Sequence, residues 1–114
     1  MVNESGLKPL GRAVLVEPYE PEFKRSLIEI PAHVRMNSSL ADTRCIVVEC
    51  GPHCWHDELS ARAKPGDKVL VTKYAGFMAN GTKDGKLYRL INDRDIFCCI
   101  VDETTVEERK VANG

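Results

Sequence analysis

Lys64-Pro65-Gly66-Asp67-Lys68-Val69-Leu70-Val71-Thr72-Lys73-Tyr74-Ala75-Gly76 is the stretch whose reading decides the fold. Pro65 presets φ at the second position of a turn and Gly66 accepts positive φ at the third, so residues 64–67 read as a type II turn. Val69-Leu70-Val71 follows at once. A short β-branched run bounded by turn residues predicts a buried strand. Tyr74-Ala75-Gly76 ends it.

Working outward, Cys45-Ile46-Val47-Val48-Glu49-Cys50 reads as a second strand, ended by Gly51-Pro52. Ala13-Val14-Leu15-Val16 is another, stopped at Pro18, and Lys8-Pro9-Leu10-Gly11 before it is a turn or kinked edge because Pro lacks the donor a central strand needs. Downstream, Tyr74 and Phe77 are the expected aromatic anchors. Asp84-Gly85 is a hairpin turn, since Leu87-Tyr88-Arg89-Leu90-Ile91 follows directly. After the polar turn at residues 92–95, Ile96-Phe97-Cys98-Cys99-Ile100-Val101 is a final strand, apolar on both faces. Such a strand needs cover on both sides. Short strands between Gly and Pro turns, without a strong helical pattern, predict an all-β small barrel. The two-faced final strand and the short core point to an oligomer.

The bulk composition narrows the function. With 114 residues the chain makes one small domain with a modest core. A net charge of -1 gives no electrostatic case for nucleic acid or an anionic membrane surface. No apolar run approaches membrane-spanning length, and Met1-Val2-Asn3-Glu4 does not open a signal peptide. Five cysteines, an odd number without an export signal, read as reduced thiols in a cytoplasm.

Three places hold residues with chemical potential. Residues 18–43 are polar and punctuated by Pro18, Pro21 and Pro31, apart from the island Leu27-Ile28-Glu29-Ile30. In an extended segment Ile28 and Ile30 share a face and Glu29 points away. The plain reading is a surface loop whose isoleucines pack back on the barrel; the sharper one is an arm carrying an apolar hook for a partner. A weak helical pattern over residues 33–40 has too thin an apolar face to read as a helix. Cys50, His53, Cys54 and His56 are zinc-ligand types. They are crowded into one run rather than two separated knuckles, so the expectation is no metal, with Trp55 covering the barrel and the histidines facing water. Cys98 and Cys99, adjacent on a strand, face opposite sides and read as packing residues. No phosphate loop or nucleophile elbow is present, and Glu107-Glu108 fall in the charged stretch 104–114, read as a frayed tail. Nothing argues for an enzyme.

Taken together, the segments resemble the GroES-type co-chaperonins, the chaperonin-10 family. Leu7-Lys8-Pro9-Leu10 with Val14-Leu15-Val16 resembles the family's amino terminus. Ile28-Glu29-Ile30-Pro31 stands where the family carries an apolar-x-apolar tripeptide in its mobile loop. Residues 44–51, 64–76 and 87–101 resemble the later strands. The resemblance implies a GroES-like domain over residues 1–103, with a mobile loop at about 18–43, a roof segment at about 52–63 carrying His53 and Trp55, and a tail at 104–114. It implies a heptameric, dome-shaped ring that lids an ATP-driven chaperonin of the GroEL type and encloses an unfolded client, with ATP bound by the partner and no cofactor here. The chaperonin would be met by Leu27, Ile28, Glu29 and Ile30, and neighbouring subunits would bury Leu7, Leu10, Cys99 and Val101. A bacterial or phage-infected host cytoplasm is the implied location. Ser26-Leu27 stand where the family has two glycines, Glu29 replaces its apolar or small middle residue, and Cys45 stands where Gly is usual. That divergence points to a bacteriophage or specialised member serving a large client such as a capsid protein. Two alternatives stand beside it. One is a divergent β-barrel virion-assembly or interaction protein without chaperonin binding. The other is a zinc-stabilised module or small zinc-dependent enzyme built on the Cys50–His56 cluster.

Overall fold

A computed structural model describes residues 2–19 and 43–103. Six strands form in this order: β1 (Ala13–Pro18), β2 (Arg44–Cys50), β3 (Lys68–Val71), β4 (Phe77–Asn80), β5 (Leu87–Asn92) and β6 (Ile96–Cys99). They make one antiparallel sheet in the order β4-β5-β1-β2-β3-β6. The all-β expectation is met, and β4 is the strand the sequence reading missed.

The deciding stretch folds as its residues dictate. Gly66 takes φ +98°, and Asp67 N donates to Lys64 O at 3.0 Å to close the turn. The Asp67 carboxylate also accepts from Lys64 N at 3.0 Å. Gly66 N then donates to Val47 O at 2.7 Å and Val47 N to Asp67 O at 2.8 Å, which staples the turn to β2. The turn therefore sets the register in which Cys45 pairs with Val69 and Ile46 with Lys68.

β1 is central and buried on both faces: Val14, Leu15 and Val16 are all fully enclosed. Val14 and Val16 join Val47, Val69, Val71, Ile91 and Ile96, while Leu15 faces the opposite way onto Val48 and Tyr88. Strands distant in the sheet order, β5 and β6, contribute to the same cluster, so the sheet rolls into a barrel with an open seam between β4 and β6. Truncating a fully buried residue such as Leu15 to Ala should cost about 2–5 kcal/mol.

Three expectations need correction. Tyr74 and Phe77 are not anchors: they are exposed, and Trp55 and Tyr88 fill the anchoring role. Aromatic residues beside a turn pack only if the pleat turns them inward, and here Ala75 takes the buried position. Cys98 is not a packing residue; it points to solvent while Cys99 packs against the core, because a bulge at Phe97 in the β3–β6 pairing shifts the alternation that starts from buried Ile96. The last strand stops at Cys99, although Ile100 N still donates to Lys68 O at 2.8 Å. Phe97 and Val101 beyond the core are uncovered within the chain. The helical reading of residues 33–40 and the tail at 104–114 lie outside the described residues.

Candidate functional site

The chain leaves the sheet at Pro18-Tyr19 and returns at Thr43-Arg44. Pro18 pairs with Cys45 at the end of β1, where a missing donor costs least, and Tyr19 N donates to Arg44 O at 3.3 Å. Around these roots lies a group of polar side chains that sequence reasoning missed. Arg44 Nη1 donates to Glu103 Oε2 at 3.2 Å, and Lys68 Nζ stands 2.9 Å from Glu103 Oε1. The same ammonium lies 5.3 Å from the centre of the Tyr19 ring. Burial pushes the Tyr19 phenol up to about 12, with the Glu103 carboxylate adding to the shift. Burial alone would raise Glu103 too, but Lys68, Tyr19 and Arg44 outweigh it and hold the carboxyl below its ordinary value. No local pattern links Tyr19, Arg44, Lys68 and Glu103 in sequence; only the strand order unites them. The island Leu27, Ile28, Glu29 and Ile30 lies between these roots in sequence and outside the described residues.

Residues 52–63 form a run of turns folded back on the sheet rather than a hairpin. Trp55 carries φ +54° and is buried. Its backbone N donates to Asp93 Oδ2 at 2.7 Å, and its indole Nε1 donates to Asp93 O at 2.9 Å. Asp93 is itself buried, in a short 3-10 turn (Asp93–Asp95) between β5 and β6. Arg62 Nη1 donates to Ile96 O at 2.8 Å and the Cys99 thiol donates to Arg62 O at 3.2 Å, closing the far end of the segment. Exposed Asp57 pairs with Arg94 and lies 3.7 Å from Arg12. His53 and His56 are exposed, their ring centres 6.0 Å apart. Cys54 donates its thiol to Ala13 O at 3.3 Å, and burial pushes the Cys50 thiol up to about 11. Among the described residues no three His, Cys, Asp or Glu side chains converge as a metal site would need.

Among the described residues, neither outer strand of the sheet, β4 or β6, has a strand partner on its far side. Beside β6 stand exposed Phe97 and Val101, with Cys99 half-buried. At the other edge, a groove runs between Leu10 and Phe77, walled by Pro9 and Leu90. Leu10 is exposed and Leu7 is half-buried against Leu15, Val48 and Tyr88. The amino-terminal residues are tied to their own barrel: Asn3 Nδ2 donates to Glu49 Oε1 at 3.0 Å, and Lys83 N donates to Ser5 O at 2.9 Å. Unpaired edges flanked by apolar side chains are templates for association with another chain. Among the described residues no helix is long and apolar enough to cross a membrane.

Fold and site together describe a small β-barrel with exposed apolar side chains on its outer strands and a polar group around Tyr19 and Arg44. Residues 6–100 match the family described as "Chaperonin 10 Kd subunit", and the chain belongs to that family. It is a co-chaperonin acting in protein folding, and not an enzyme. Its relatives include the co-chaperonin GroES of Acetivibrio thermocellus, 32% identical over 97 residues, covering 82% of this chain and 97% of that protein. The co-chaperonin GroES of Caldicellulosiruptor saccharolyticus is 32% identical over 99 residues, covering 84% of this chain and 98% of that protein. That of Clostridium novyi is 32% identical over 97 residues, with 82% and 97% covered. These relatives are bacterial, and they give the expected bacteriophage origin no support.

Proposed function

We propose that this co-chaperonin forms a heptameric ring and lids an ATP-driven chaperonin of the GroEL type in the cytoplasm, enclosing an unfolded client chain. Leu27, Ile28, Glu29 and Ile30 would contact the chaperonin, with Ile28 and Ile30 entering one apolar groove. Leu7, Leu10, Cys99 and Val101 would lie between subunits, and His53 and Trp55 would belong to the roof. ATP would be bound by the chaperonin alone. The observation that carries this reading is the pair of open edges. Exposed Phe97 on β6 and exposed Phe77 on β4, at one side of the Leu10–Phe77 groove, lie on opposite outer strands. A head-to-tail contact between two unlike edges generates a ring when the rotation between neighbours closes, as this reading requires. Burying the apolar side chains there supplies the driving force, at roughly 25 cal/mol per Å² of area removed from water.

The test is co-migration. The purified chain, mixed with a GroEL-type chaperonin, should travel with it in gel filtration when ATP is present and separate when ATP is absent. A chain that never co-migrates, in a ring of correct mass, would favour the interaction protein without chaperonin binding.

A further inference from the structure

Four side chains from four separate chain segments meet where residues 20–42 depart from the sheet and return to it. Tyr19 comes from the exit of β1, Arg44 from the start of β2, Lys68 from the start of β3 and Glu103 from beyond the end of β6. Glu103 is the hub. One carboxylate oxygen takes the Arg44 guanidinium at 3.2 Å, and the other faces Lys68 at 2.9 Å. The Tyr19 hydroxyl is buried in the same group, and Lys68 stands over its ring. The Arg44 and Glu103 side chains are only 18% and 19% exposed. A pair so withdrawn from water is strongly disturbed when one partner is removed, because the other is left charged and unmatched. Lys68, 48% exposed, is the weaker arm.

The placement of this hub exceeds what sheet stability asks for. The strands already pair through their backbones here: Tyr19 N to Arg44 O, Arg44 with Leu70, Ile100 N to Lys68 O. Glu103 ties Arg44 at the returning root, and Lys68 beside it, to the exit of β6, and the Tyr19 ring at the outgoing root lies under the same Lys68 ammonium. We propose that Glu103 is a positioning residue for chaperonin binding, fixing the direction in which the two roots present the segment between them. The proposal rests on the reading that this segment binds the chaperonin. Its physical basis is the weakness of one arm. Several weak arms act together only when their spacing and direction match the partner's sites, and effective concentration falls when that geometry loosens. Glu103 also lies two residues from Val101, so a neighbouring subunit covering that strand end would press on the same tie.

The experiment uses the full chain, a GroEL-type chaperonin and ATP. Affinity, ring mass and thermal midpoint are read on the same samples. Glu103→Gln is expected to weaken chaperonin binding about tenfold with ring mass unchanged. Glu103→Asp, which keeps a carboxylate for Arg44 and Lys68, is expected to retain more of the affinity than Glu103→Gln. A purely structural role would lower the thermal midpoint and leave the affinity of the folded ring alone. Wild-type affinity in folded, ring-forming Glu103→Gln overturns the proposal. Should that variant fail to assemble, Lys68→Gln removes only the exposed arm; a two- to threefold loss of affinity in an intact ring supports the proposal, and no loss overturns it. A wild-type ring that never binds the chaperonin brings down the functional reading itself, an outcome distinct from wild-type binding with indifferent variants.

Discussion

Gly76 presses its Cα against the backbone carbonyl of Leu90, so that a Cβ at position 76 would fall far inside van der Waals contact with that oxygen. Its φ is +60°, a conformation that L side chains rarely adopt. The contact lets the chain turn from β3 into β4 while lying flat on β5. Gly76→Ala should therefore destabilise the fold by on the order of 3 kcal/mol or more, from strain plus backbone displacement. Gly85→Ala is the control: φ is +73° there too, but a Cβ meets nothing within 4 Å. Its cost should be about 1–2 kcal/mol. Urea unfolding of the two variants checks the order.

Trp55 and Asp93 predict the behaviour of the roof segment. Asp93→Ala removes the acceptor of a buried N–H and should cost about 1–3 kcal/mol. Asp93→Asn keeps an oxygen in place and should cost less. Trp55 is the chain's single tryptophan, so its emission reports this segment alone. A red shift is expected for Asp93→Ala under native conditions and little change for Asp93→Asn.

Acid and alkali should each weaken the group formed by Tyr19, Arg44, Lys68 and Glu103, through different residues. The folded pKa of Glu103 lies below its unfolded value. Its contribution is present above the unfolded pKa and is lost as pH falls through the folded one. Tyr19 is raised from 10.0 to about 12, by burial first and then by Glu103. Its contribution is full below the unfolded value and is lost as pH climbs towards about 12. Tyr88 behaves likewise, raised to about 12 first by its hydrogen bond to Asp84. Urea midpoints against pH should fall more steeply on the acid side for the wild type than for Glu103→Gln. Tyrosinate absorbance should show Tyr19 and Tyr88 still protonated well above pH 10.

Assembly is tested at the exit of β6. Val101 is 94% exposed within the chain, so Val101→Asp costs the isolated subunit almost nothing. In a ring the same carboxylate would be trapped in an apolar contact, at about 1–3 kcal/mol or more per interface. Light scattering should find monomers of normal thermal stability for Val101→Asp and a ring for the wild type. A wild-type monomer at micromolar concentration would contradict the ring.

Much of this was legible in the chain because local rules and the fold agree. Pro65-Gly66 demanded a particular turn and the turn set the β2–β3 register; Asp84-Gly85 marked the β4–β5 hairpin. β4 itself escaped notice. Phe77-Met78-Ala79-Asn80 is too short and too weakly alternating to read as a strand, and it exists because β5 offers it an edge. Asp93 gave no sign of burial among three polar neighbours; its place is fixed by Trp55, 38 residues away. The loop-root group was equally silent, since Tyr19, Arg44, Lys68 and Glu103 meet only through the sheet order. The island Ile28-Glu29-Ile30 is the reverse case, visible in sequence as apolar residues in a polar stretch.

That island carries the central claim. Burying Ile28 and Ile30 in a groove contributes roughly 1.5–3 kcal/mol each before the cost of ordering the segment. One arm alone would bind weakly, and a ring of arms would multiply the contact. The core cluster among the described residues is built from residues outside 20–42, so the fold should tolerate polar substitution there. The most direct measurement is chaperonin binding in the presence of ATP by the variant Ile28→Ser with Ile30→Ser, with ring mass and thermal midpoint taken on the same sample. The expected result is loss of nearly all binding, with ring mass and midpoint close to wild type. Retained binding by the double variant, or its unfolding, would contradict the account.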